Sequence, residues 1–133
     1  MRLCPEQAHA LIPRIDPGRI HLGLAVGLRD GALLALVAAG LSAVEIAALQ
    51  AAEVTLQGGR VVVSVSRQGV TWSAVLSTDL GARLLAWITE CRLWSEPVPV
   101  FRGVRGGPLT KDGIRKVFDR YRRCKARTRR RSQ

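Results

Sequence analysis

Histidine is nearly missing from these 133 residues: His9 and His21 are the only two, twelve positions apart. With no third ligand at a useful spacing, they give metal-dependent hydrolysis little to work with. Cysteine is scarce as well. Cys4, Cys91 and Cys124 are far apart, odd in number and form no CxxC, which argues against a disulfide framework or a thiolate metal site and fits a reducing compartment. Long apolar runs are absent too. The most apolar stretch, 21–49, is cut by Arg29–Asp30 and by Glu45, short of the ~18 uninterrupted residues a membrane span needs. The first 13 residues place Glu6, His9 and Pro13 where a signal peptide has its apolar centre. These absences lead us to expect a soluble, cytoplasmic protein with no metal, no cofactor and no membrane partner.

Acidic residues are lacking where the chain is most basic. Residues 1–98 hold eight Lys and Arg against eight Asp and Glu, whereas residues 99–133 hold 13 against two. The whole net charge of +11 therefore sits in the last quarter. This exceeds what solubility requires and points to a polyanion, with DNA or RNA ahead of an anionic membrane. Apolar residues make up 47%, enough for one core in one domain. We read residues 1–125 as that domain and 126–133 as a basic, disordered tail.

Periodicity and turn chemistry predict an α+β fold, with helices on a small three-stranded antiparallel meander. Pro5 opens a short helix that Pro13 stops. Residues 15–27 read as a loop entering a helix from Leu28 to about Ala39, with Gly40 as its stop. Ser42 and Glu45 form the S-x-x-E capping box of the next helix. The period then changes: 54–56, 60–65 and 70–76 read as strands joined at Gly58–Gly59 and Gln68–Gly69. A helix capped by Ser77 or Thr78 runs to about Trp94, with Leu80, Leu84, Trp87, Ile88 and Cys91 as its apolar stripe. After the basic loop 102–108, Thr110 caps a last helix, whose apolar side is Ile114, Val117, Phe118, Tyr121 and Cys124. Trp72, Trp87 and Trp94 read as core residues.

The phrases LCPEQAHALI, LRDGALLALVAAGLSAVEIAALQAAEV and VFRGVRGGPLTKDGIRKVF, in that order over roughly residues 3–125, resemble the N-terminal part of the catalytic domain of tyrosine recombinases, the phage-integrase family. The resemblance implies DNA as partner and strand transfer as the family activity, linked to DNA recombination and integration. It also exposes departures. Where the family carries its first phosphate-binding arginine, two residues after the turn glycine, this chain has Ser42; the acidic companion is kept as Glu45. The nearest basic residue to the family's hairpin lysine is Arg67. The His-x-x-Arg motif and the nucleophilic tyrosine would follow the last helix and are not in this sequence, and Tyr121, on an apolar stripe, reads as core. Without an arginine fork a bidentate, charge-assisted contact is missing, and without the nucleophile there is no covalent intermediate.

The expected function is therefore a DNA-binding, catalytically defective recombinase-like protein that modulates an intact recombinase or self-associates. The candidate phosphate contacts are Arg67, Arg102, Arg105, Lys111, Arg115, Lys116, Arg122 and Arg123; no catalytic residue is assigned. Ser42, Glu45 and Arg67 are the degenerate active-site positions. Glu45 reads either as a cap or as an active-site remnant, and Arg67 either as a phosphate contact or as a solvated turn residue. Two other readings remain: one part of a split recombinase completed by another chain, and a helix-turn-helix regulator built on GLSAVEIA. The second would need a recognition helix next. Absence of the family's following helices also predicts an exposed apolar patch on Ile114, Val117, Phe118 and Tyr121, of a size that usually marks an interface.

Overall fold

The computed structural model describes residues 4–14, 24–102 and 109–131; for Arg14, Leu24, Ala25 and 122–131 only the backbone is described. The described elements are α1 (Pro5–Leu11), α2 (Leu24–Ala38), α3 (Ala43–Ala48), β1 (Val54–Gln57), β2 (Arg60–Arg67), β3 (Val70–Val75), α4 (Thr78–Cys91) and α5 (Lys111–Arg131). Short 3-10 turns follow α1 and precede β1. The fold is α+β, as the sequence predicts.

The central helix is α2. Every residue from Ala32 to Val37 is fully buried, so this half of the helix is apolar all round and has neighbours on all sides. It packs most extensively on α4 and also touches α1, α3 and α5. Its described part reaches back to Leu24, four residues before the expected start at Leu28. At its other end Gly40 takes φ +100°, and the Leu41 N–H donates to the Leu36 carbonyl, a left-handed stop suited to glycine.

The sheet is a meander in the order β1-β2-β3, with both pairs antiparallel. Val54, Val63 and Ala74 form one cross-strand row, and Val65 faces Trp72 in the next. Both hairpins close through two residues with positive φ, Gly58–Gly59 and Gln68–Gly69, the conformation that matches strand twist. On the core side α4 comes close to β2: a Cβ on Gly81 would lie 3.0 Å from Val61 Cγ2. Ser77 caps α4 by accepting from the Leu80 N–H. The helix ends at Cys91 rather than near Trp94, because Arg92 adopts φ +55° and its N–H returns to the last turn. Trp94 therefore lies beyond the helix and is 37% exposed, correcting its expected place in the core.

One further expectation fails at α5. Ile114 and Phe118 are fully buried and Val117 nearly so, because α1, α2 and α3 already cover that face. The predicted exposed patch does not exist. The described helix backbone runs through Arg131; Arg, Lys and Ala are good helix formers. The basic loop lies outside the described residues over 103–108.

Candidate nucleic-acid interface

The last helix is built to keep one face dry and the rest charged. Thr110 opens it, its Oγ1 accepting from the Gly113 N–H at 3.1 Å and its carbonyl from the Ile114 N–H. Asp112 sits in the first turn, where the helix dipole favours it, 3.9 Å from the Arg115 guanidinium. Lys111 and Lys116 are exposed and Arg115 is half-buried. These three cations share the first turn and a half of α5. Past Tyr121 the sequence supplies Arg122, Arg123, Lys125, Arg127, Arg129, Arg130 and Arg131 with almost no apolar residue. Arg122 and Arg123 stand on the described helix backbone, their side chains outside the described atoms, and Arg105 lies wholly outside the described residues. Arg102 is exposed, just after the buried Phe101.

Arg67 is not with this group. It ends β2, and its guanidinium is tied to α3 and to the α2–α3 turn. Its Nε donates to Glu45 Oε2, and its Nη2 donates to Glu45 Oε1 and to the Gly40 carbonyl, both at 2.8 Å. Its face lies over the Trp72 ring, 4.0 Å from guanidinium carbon to centroid, a cation–π contact between diagonal neighbours on β2 and β3. Arg67 is thus a held arginine that remains partly exposed. Among the described residues Nη1 has no hydrogen-bond partner.

Glu45 forms the cap that the sequence offers, and its carboxylate also holds an arginine. Its Oε1 accepts from the Ser42 N–H at 2.8 Å while Ser42 Oγ accepts from the Glu45 N–H at 3.2 Å, completing the capping box. The same carboxylate binds Arg67. That hydrogen bond, ahead of a smaller opposing effect of burial, holds the Glu45 carboxyl below its ordinary range and raises the Arg67 guanidinium. A guanidinium therefore does sit at this corner, supplied by the hairpin and not by position 42.

A second polar cluster joins Arg29, Asp30 and Tyr121, which the sequence shows separately and does not connect. Asp30 is the one buried charged residue among those described. Arg29 Nε and Nη2 donate to its Oδ1 at 3.0 and 2.8 Å, Tyr121 Oη donates to its Oδ2 at 2.6 Å, and Arg120 lies 3.8 Å away. Burial first, then the bond to Asp30, pushes the Tyr121 hydroxyl well above its usual range, so it stays protonated and acts as a donor. Its role is to pin α5 to α2. An adjacent Arg29–Asp30 pair inside an otherwise apolar helix is the signal that could have revealed it.

Among the described residues no group of three His, Cys, Asp or Glu could hold a metal ion, and no helix is long and apolar enough to cross a membrane. No protein-family model matches the chain, and no curated protein matches it.

Proposed function

We propose that this chain is a DNA-binding protein resembling the N-terminal part of a tyrosine-recombinase catalytic domain, that these residues alone do not transfer strands, and that it modulates an intact recombinase. The observation that carries the reading is the charge of α5: a helix anchored by Ile114, Val117 and Phe118, whose sequence beyond Tyr121 has seven Lys and Arg among the ten residues 122–131. A cationic helix of ordinary diameter suits the major groove, and its phosphate contacts need no sequence code. The resemblance in sequence order supports the family and hence duplex DNA over RNA.

The lack of strand transfer follows from the residues. Ser42 cannot clamp a phosphate as an arginine fork does, and Tyr121 donates to a buried carboxylate instead of facing a substrate. The helix-turn-helix reading finds less support, since a 3-10 turn and β1 follow α3 where a recognition helix is required. A nicked duplex of the kind that traps covalent recombinase intermediates tests the reading. The expected result is reversible binding with no covalent adduct. An adduct that disappears in Tyr121→Phe would contradict it, as would failure to bind duplex DNA at low salt.

A further inference from the structure

A cavity of about 600 Å3 opens between α2, α4 and the segment after α4. Its apolar walls are Val26, Trp87, Leu93 and Val100, with Cys91 beside them and Arg29 and Arg102 completing the lining. The size falls within the range of about 300–1,000 Å3 typical of small-molecule sites, which combine apolar walls with a few convergent polar groups.

The lining is fixed in advance. The Trp87 indole donates to the Val100 carbonyl at 2.8 Å and stacks on Phe101, ring planes 10° apart and centroids 6.4 Å apart. It is thus a rigid flat wall. Arg29 is oriented by the buried Asp30, which takes Nε and Nη2, so its remaining Nη1 has no hydrogen-bond partner among the described residues. A buried carboxylate that orients an arginine reduces the ordering cost of binding an anion. Among the described lining residues Arg29 and Arg102 are the charged ones, and the buried Asp30 behind Arg29 is also met by Tyr121 and Arg120. The Cys91 thiol is pushed up by burial and by Glu90, so it adds no negative charge at neutral pH.

We propose that this cavity is a binding site for a small organic anion with a flat apolar body, an aromatic carboxylate by chemical class. The ring lies against Trp87, Leu93 and Val100, and the carboxylate meets the Arg29 and Arg102 guanidiniums. The site is independent of the DNA-binding reading. Arg102 is shared with the candidate phosphate contacts, so the test is made without DNA.

The probe is 2-naphthoate, titrated into the full chain by calorimetry and by tryptophan fluorescence, beside the neutral 2-naphthylmethanol. The expected result is saturable one-to-one binding of the naphthoate with quenching of tryptophan emission, at least about tenfold tighter than the alcohol. Arg102→Ala, at an exposed position, should weaken the naphthoate about fivefold to tenfold, leave the alcohol unchanged and preserve the melting temperature, while Arg102→Lys recovers part of the affinity. No saturable binding at millimolar naphthoate would overturn the proposal. So would equal affinity for acid and alcohol, or an Arg102→Ala chain that binds as well as the parent.

Discussion

Glu45 joins two kinds of interaction that the sequence shows unequally. Its spacing from Ser42 is a local pattern and predicts the capping box directly. Its partner Arg67 lies 22 positions away, and only the closing of the meander onto α3 brings them together, so no local period could reveal the pair. Glu45→Ala removes the carboxylate half of the capping box and leaves Arg67 without its carboxylate, while Ser42 Oγ can still accept from the backbone N–H at position 45; loss of the one hydrogen bond to the Ser42 N–H alone costs about 1 kcal/mol, readable in urea unfolding. The pH dependence has a definite sign. The folded carboxyl titrates below its unfolded value of 4.5. Its contribution is therefore complete above that value and is lost as the pH falls below it. The parent should lose stability through this acid range more steeply than Glu45→Gln, and parallel curves would contradict the assignment. At the other cluster, Tyr121→Phe leaves one oxygen of Asp30 short of its hydrogen bond. Because that carboxylate is buried, unfolding free energy should fall by about 1–3 kcal/mol. An unchanged urea midpoint would show that the bond does not hold α5.

Helices and strands are legible where a stripe or a turn pair specifies them, and less so at their ends. Both two-residue turns and the stripe of α4 stand where expected because alternation, glycine and 3.6-residue spacing act within a few residues. The end of α4 departs from expectation because Arg92 takes a left-handed conformation that its residue type does not announce. The face of α5 is buried against expectation because its cover comes from α1 and α3, far off in sequence. That cover makes Phe118 a core residue, and Phe118→Ala should cost about 3–5 kcal/mol; a tolerated substitution would restore the exposed face. The close approach of α4 to β2 gives an opposite kind of test. Gly81→Val places methyl groups into Val61 and should destabilise the fold by about 1–3 kcal/mol through overpacking, with thermal melting as the readout.

The molecule divides into a body of balanced charge and one strongly cationic helix. The α+β character of the body is legible in the sequence, and the charge partition can be counted directly. The joining of the two is not legible: Phe101, Ile114 and Phe118 are buried in the body, so the basic quarter also supplies core. Removing residues 99–133 would unfold the domain and cannot test what its charges do. Self-association through the apolar face of α5 likewise has no exposed surface to use. The cationic end is best neutralised at Lys125, Arg127, Arg129, Arg130 and Arg131, which follow Tyr121, the last described side chain packed against the core.

The most direct test is therefore the salt dependence of duplex binding, measured by fluorescence anisotropy for the full chain and for one with those five residues changed to Gln. If the full chain neutralises about six phosphates, log affinity against log salt has a slope of about −5, and each phosphate no longer neutralised makes it shallower by about 0.9. The neutralised chain should keep its melting temperature, bind more weakly and show a clearly shallower slope. Binding insensitive to salt, or the same slope in both chains, would contradict the assignment of this helix to DNA.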